Sequence, residues 1–258
     1  MGCFSSCLRG KKSAKGTVIE PEEAPPPPPP PQSETPPSPA HEAWTVQDGA
    51  RYDGAFKAGR RHGYGKFTWA NGDTYEGDWL DDVQEGIGKF CTPQGDKYEG
   101  GFRHNVKHGK GKQMWANGDS YEGDWAHGLQ HGQGTFTWGE NSGMNASNVY
   151  TGDWKEGVRE GRGTLTWANG STYTGSWKND HRHGHGLLVL ANGDKYEGMF
   201  DNDKKHGVRE PPVSPVSCLP HLLVQHGRFQ WGDGPWKGHA YDGEWVSDVM
   251  EGKGSYIT

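Results

Sequence analysis

One interval governs this sequence. Residues 52–74 read YDGAFKAGRRHGYGKFTWANGDT, and the unit begins again 23 residues later at Tyr75, then at Tyr98 and at Tyr121. Tyr150 follows a longer gap, Tyr173 and Tyr196 resume the period, and Tyr241 follows a second, longer gap. A fixed period of this size excludes an ordinary globular core. Each unit is a supersecondary element that buries its apolar face against its neighbours in an array.

The columns of the repeat give the element. Two residues after each Tyr stands Gly (54, 77, 100, 123, 152, 175, 198, 243), and two further on a large aromatic: Phe56, Trp79, Phe102, Trp125, Trp154, Trp177, Phe200 and Trp245. Spacing of two puts these three columns on one face of a strand, with Glu76 and Asp78 on the other. Gly65, Phe67 and Trp69 repeat the logic in the second half of the unit, against Lys66 and Thr68. Asn-Gly pairs at Asn71, Asn117, Asn169 and Asn192 fall between the runs. Such pairs suit two-residue hairpin turns, where both central residues need positive φ. The expected fold is all-β: an elongated, single-layer antiparallel meander of tandem hairpins.

The unit resembles the MORN repeat (membrane occupation and recognition nexus), whose signature is a Y-x-G-x-[WF] strand followed by H-G-x-G. YEGDW at Tyr75 and Tyr121 carries the first element, and HGYG, HGKG, HGQG and HGHG from His62, His108, His131 and His183 the second. Glu85, Glu160 and Glu251 replace the His in EGIG, EGRG and EGKG. The resemblance covers about residues 44–258. It implies a scaffold at membranes, cytoskeletal junctions or flagella, often homodimeric, with phosphoinositide recognition proposed for some arrays.

Composition agrees with a thin sheet. Hydrophobic residues are 31% of the chain and Gly is 42 of 258, so a thick core is out of reach and rings are expected to lie over glycines of neighbouring strands. The four Cys form no framework or paired metal spacing, which points to a reduced, cytosolic chain. No stretch approaches a membrane-spanning helix, and the N-terminus has no secretory apolar region.

Three domains are expected. Residues 1–16, MGCFSSCLRGKKSAKG, fit a lipidated basic tail. Gly2 with Ser6 matches the myristoylation pattern, Cys3 and Cys7 suit palmitoylation, and Arg9, Lys11, Lys12 and Lys15 add attraction to an anionic leaflet. Residues 17–43 form a disordered Pro-rich linker whose seven prolines at 25–31 favour an extended spacer or a docking motif for SH3- or WW-type domains. The array, 44–258, opens with a half-unit in which Trp44, Val46 and Gly49 take the columns of Phe67, Trp69 and Gly72. That gives 17 strands, or ~80 Å at ~4.8 Å per strand. Insertions at about 139–149 and 208–226 interrupt the rhythm; prolines in the second forbid a ladder strand there.

No catalytic constellation, cofactor loop or metal set is legible. The repeated His side chains at 62, 108, 131, 183 and 206 fall about 10 Å apart, two strand spacings, too far to share a Zn²⁺. His181, His183 and His185 alternate along one strand without an acid in register. The net charge is −6, and removing the four basic tail residues leaves 23 Lys and Arg against 33 Asp and Glu, or −10. Nucleic acid is therefore an unsuitable partner. One column before the H/E-G step is mostly basic (Arg61, Lys107, Arg159, Arg182, Lys205) and is expected to line a rim as an anion-binding stripe. The partner-binding face is assigned to Tyr75, Trp79, Tyr121, Trp125, Tyr150, Trp154, Tyr173 and Trp177, as an apolar groove suited to a helical segment. The expected function is a non-catalytic scaffold on a cytoplasmic membrane leaflet, plasma or flagellar. The alternatives are a phosphoinositide-binding module or a structural part of a flagellar or cytoskeletal assembly.

Overall fold

The computed structural model describes residues 42–45, 49–207 and 226–258. The tail residues 2–15, the proline run and nearly all of the 208–226 insertion lie outside the described residues. What is described is one open antiparallel sheet in which each strand pairs with the next in sequence. Its eighteen strand segments occupy seventeen ladder positions, because Lys204–His206 and Gly227–Gln230 both pair with Lys195–Asp201. The opening half-unit is in phase: Glu42–Thr45 pairs with Arg51–Lys57, Trp44 stands opposite Tyr52, and Gly49 takes a positive φ as Gly72 does.

In seven of the eight hairpins the first strand has seven residues and the second nine, as in Arg51–Lys57 and Arg60–Thr68. The H-G-x-G segment accounts for the difference. Gly54 pairs with Gly65 and Phe56 with Arg61, so three residues (62–64) on one strand oppose one (Ala55) on the other. This is a β-bulge, and Gly63 (φ 73°) supplies the left-handed residue that it needs.

The turns correct one expectation. The Asn-Gly pairs do not form two-residue turns. Trp69 N–H donates to Asp73 O, Gly72 N–H donates to Trp69 O, and Gly72 has positive φ while Asn71 does not. This three-residue connection uses Gly at its last position, and the Asn71 side chain accepts from Asp73 N–H. Two-residue turns with both φ positive sit instead at the other end of each hairpin: Ala58-Gly59, Asp81-Asp82, His104-Asn105, His127-Gly128, Glu156-Gly157, Asn179-Asp180, Asn202-Asp203 and Ser247-Asp248.

The second insertion enters at the bulge. Gly207 bridges Trp245 as Gly63 pairs with Trp79, and Gly227 pairs with Gly243 as Gly65 pairs with Gly77. Residues 208–226 thus replace the single residue between the two glycines of H-G-x-G, where the ladder is already interrupted.

Candidate functional site

The aromatic face is built from the Tyr outward. Each repeat Tyr ring lies flat over the paired glycines of its own hairpin: a Cβ on Gly88 would stand 2.5 Å from the Tyr75 ring, and one on Gly77 2.4 Å from Gly88 Cα. Only glycine leaves that room. The hydroxyl turns back and donates to the carbonyl three residues on, as in Tyr75 to Asp78 (2.9 Å) and Tyr121 to Asp124 (2.9 Å). Edge-to-face rings close both sides: Tyr75 meets Trp79 at 5.0 Å and Phe102 of the next unit at 4.9 Å. Such pairs add about 0.5–1.5 kcal/mol beyond their burial. The indole N–H then ties repeat to repeat, Trp79 donating to Gly65 O (3.0 Å) and Trp177 to Gly163 O (3.2 Å).

The consequence differs from the expected groove. Tyr75, Tyr121, Tyr150 and Tyr173 are 0% exposed, and Trp79, Trp125, Trp154 and Trp177 are 4–7% exposed. These eight side chains are the interior of the sheet, because the rings pack down onto glycine rather than standing up from the pleat. Burial pushes the Tyr173 hydroxyl up to about 12, so it stays a neutral donor. What remains partly accessible on this face is the other aromatic column, including Trp69, Trp115, Trp138 and Trp167. A cavity of about 190 Å³ opens beside Trp138 and Trp167, between Arg159 and Arg182.

The basic column also lies on the aromatic face and not along a free rim. The Arg61 guanidinium sits 4.3 Å from the Trp79 ring centroid, and Arg159 sits 4.4 Å from that of Trp177. Each faces a turn carboxylate of the next hairpin: Arg61 Nε to Asp82 Oδ1 is 2.9 Å, Arg159 to Asp180 3.0 Å, and Arg182 to Asp203 3.1 Å. The backbone N–H of Arg61, then its guanidinium, holds Asp82 below the usual carboxylate range. Three of the five expected anion-binding cations are therefore already paired. Lys107 and Lys205 instead rest over rings, Lys107 Nζ 4.9 Å from both Tyr98 and Trp125, and desolvation lowers both ammonium groups.

The other rim is a ladder of turn side chains. Asp96, Asn148, Ser171 and Asp194 each accept a backbone N–H from the following unit, as in Asp96 Oδ1 to Ala116 (2.8 Å) and Asn148 Oδ1 to Ala168 (2.9 Å). Pro93 occupies the position that would donate to Asp73 and has no N–H to give. Asn148 brings the first insertion into line, so this stretch is a fitted turn.

The opposite face carries a single row of cross-strand neighbours running the length of the array. From residue 53 to 122 it alternates acid and base: Asp53, Lys66, Glu76, Lys89, Glu99, Lys112 and Glu122. Four threonines follow, Thr135, Thr151, Thr164 and Thr174. Lys112 and Glu122 pair at 3.1 Å, and Thr135 and Thr151 share a hydroxyl hydrogen bond of 3.0 Å. A shallow depression of about 760 Å³ crosses the junction, lined by Glu99, Lys112, Glu122, Gln133, Thr135 and others. On this face the Asp of Y-x-G-D-W clamps the bulge: Asp78 accepts from Ile87 N–H (2.9 Å) and Asp153 from Arg162 N–H (2.6 Å).

The histidine reading is corrected too. His181 Nδ1 lies 2.6 Å from Asp203 and His183 Nδ1 3.4 Å from Asp201, so acids of the neighbouring strand and turn do sit in register. Among the described residues, no group of three or more His, Cys, Asp or Glu is placed to hold a metal ion, and no helix is long and apolar enough to cross a membrane.

A search of curated proteins finds no match. Among solved structures, the chain is similar to the TCP domain of Drosophila melanogaster SAS-4 (dCPAP) in complex with a proline-rich motif of Ana2 (dSTIL), at 15% identity over 68% of this chain and 92% of that one, with a TM-score of 0.31. It is similar to the G-box domain of the microcephaly protein CPAP at 11% identity, 84% and 98% coverage and a TM-score of 0.35. The Danio rerio CPAP TCP10 domain with a STIL peptide follows at 14% identity, 80% and 89% coverage and a TM-score of 0.26. At these values the likenesses carry no argument. The family model for the MORN repeat matches residues 52–74, 75–97, 98–120, 121–142, 150–172, 173–195, 196–208 and 241–258. With matches in phase over well more than half of its length, the chain belongs to the MORN repeat family.

Proposed function

We propose that this protein is a non-catalytic scaffold that binds protein partners through its repeat array and is held at a cytoplasmic membrane leaflet by acyl chains on Gly2 and on Cys3 and Cys7. MORN repeats are a non-catalytic repeat type, and the family supports a repeat-based binding scaffold. The observation that carries the reading is the division of labour between faces. One face spends its rings on holding hairpin to hairpin, while the other presents side chains whose identity changes along the array. A surface that is uniform in register and variable in chemistry suits recognition.

Membrane attachment is supported by the tail sequence. One myristoyl chain binds a bilayer marginally, and a second chain or a basic patch makes the attachment stable. Gly2, Cys3, Cys7 and the cations at 9, 11, 12 and 15 supply all three signals. Direct phosphoinositide recognition by the repeats is disfavoured, since Arg61, Arg159 and Arg182 already face carboxylates and the chain beyond the tail is acidic.

Cell fractionation tests the attachment. Gly2→Ala is expected to move the protein to the soluble fraction, and the Cys3→Ser, Cys7→Ser double variant to leave it weakly and reversibly bound. A Gly2→Ala protein that stays in the membrane pellet would place the anchor elsewhere. Proximity labelling from the Gly2→Ala and parent proteins would then separate partners of the array from proteins that merely share the membrane.

A further inference from the structure

Two hairpin ends in the middle of the array lack the group that fastens their neighbours. At five of the eight two-residue turns, the second residue reaches back to the preceding hairpin; Gly59, at the start of the array, does not. Asp82 Oδ1 accepts the backbone N–H of Arg61 (3.0 Å), Asn105 that of Gln84 (2.8 Å), Asp180 that of Arg159 (3.0 Å), Asp203 that of Arg182 (3.0 Å) and Asp248 that of Lys205 (2.8 Å). At 128 and 157 this residue is Gly. The return bond from the turn N–H survives, Gly128 to Lys107 O (3.0 Å) and Gly157 to Gln130 O (2.9 Å), but no side chain is there to accept from Lys107 or Gln130.

The surroundings give the sign of what would fit. Segments 103–108 and 126–131 hold Arg103, His104, Lys107, His108, His127 and His131 and no Asp or Glu. Asp81, Asp82 and Glu85 precede this stretch along the rim, and Glu156, Glu160 and Asp180 follow it. Arg103 and Lys107 are the two fixed charges of these segments; Asp96 attracts Lys107 through space and Asp124 stands opposite His131, so acid is lacking at the hairpin ends themselves. Lys107 Nζ rests on the Tyr98 and Trp125 rings and bonds to Gln113, which takes the place of the ring found at Phe67 and Phe136 in that column. Among the described residues it forms no carboxylate pair, unlike Arg61, Arg159 and Arg182. Val106 and Leu129 are exposed beside it.

We propose that these two hairpin ends form a docking site for an acidic segment of a partner protein, one carboxylate of which takes at Lys107 the place that Asp82 fills at Arg61. The array itself supplies the template, since Asp82 Oδ1 accepts from both the backbone N–H and the Nε of Arg61 at 3.0 and 2.9 Å. A second acid would reach Gln130 N–H about 10 Å further on, two strand spacings, or about three residues of an extended segment. The exposed Val106 and Leu129 would pack against apolar residues between or beside those acids.

The test is fluorescence anisotropy of a labelled hexa-aspartate peptide titrated with the full chain at low salt. Saturable, salt-sensitive binding is expected, weakened roughly tenfold or more by Gly128→Asp, which supplies the carboxylate in cis. That variant should fold, because Asp82 (φ 72°) and Asp180 (φ 67°) already occupy the same turn position. Lys107→Gln should weaken binding similarly. Met144→Asp makes the same change in net charge at a fully exposed position of the first insertion and should leave binding unaltered. The proposal fails if the peptide does not bind, if Gly128→Asp and Met144→Asp weaken it equally, or if Lys107 governs binding to anionic vesicles and not to the peptide. It rests on the reading of the array as a protein-binding scaffold. Proximity-labelled partners that Gly128→Asp leaves unchanged would remove this site while that reading stands.

Discussion

The two faces of this sheet share every strand and differ in what they allow. On the aromatic face the same three residue types recur in each unit, since each contact depends on the next: ring on glycine, indole on the preceding carbonyl, ring edge on ring. On the opposite face the cross-strand row runs in the same register, yet passes from alternating charge at 53–122 to threonine at 135–174 without disturbing the ladder. Constancy on one face therefore marks the contacts that hold hairpin to hairpin, and variation on the other marks side chains that the ladder does not fix. Substitutions that separate the two should fall in a definite order.

Tyr121→Ala should have the largest effect. It empties the space over Gly123 and Gly134 and breaks contacts with Trp125 and Trp154 in two units at once. A loss of about 3–5 kcal/mol is expected, as for other buried aromatics, read by denaturant unfolding. Asp153→Ala comes next, although it lies on the variable face. Its carboxylate accepts the Arg162 N–H at the bulge, an exposed bond, so about 0.5–1.5 kcal/mol should be lost as that donor turns to water. Reversing Glu122 to Lys places like charges opposite each other at Lys112 and should lose no more than about 1 kcal/mol, an effect that salt removes.

Acid should act through the turn latches, and more weakly. Asp82 is held below its ordinary value by the Arg61 N–H and guanidinium. Asp203 is lowered as well: burial pushes it up, but the Arg182 N–H, His181 and the Arg182 guanidinium outweigh it. A depressed carboxylate adds stability that is complete above its unfolded value and is lost as pH falls through its folded one. The thermal midpoint should therefore be level from neutral pH to about 5 and fall below about 4. Asp82→Asn should remove part of that fall while keeping the fold, since Asn105 already makes the equivalent bond with an amide.

Much of the fold was legible because a period of 23 and alternation by two are properties of the chain itself. The hairpin, the face shared by Tyr, Gly and Trp, the ring-on-glycine packing and the in-phase half-unit at Trp44 all follow from them. Three things did not follow. The bulge at H-G-x-G shifts the phase between Gly65 and Arg61, so alternation could not show that the basic column joins the aromatic face. The tight turns were hidden because Asp81-Asp82 and Asn179-Asp180 lack the Asn-Gly signal that draws attention to the looser turns. A column of Asp or Asn at 82, 105, 180, 203 and 248, 21 residues after the preceding unit's basic or Gln position in the first four and 43 across the insertion in the last, was the available clue to the latch. Exposure was the third. Alternation and the glycine columns place rings over glycine but do not say how far the rings of neighbouring units close over one another and bury them.

Hydroxyl-radical footprinting of the intact protein, read residue by residue by mass spectrometry, tests that last point most directly. Tyr64 and Tyr256 are 60% and 71% exposed, whereas Tyr75, Tyr98, Tyr121, Tyr150 and Tyr173 are 0% exposed. The two former residues should be modified rapidly and the five latter protected until the array unfolds. Repeat tyrosines modified as fast as Tyr64 under native conditions would mean that the aromatic face is an open groove and not the interior of the sheet.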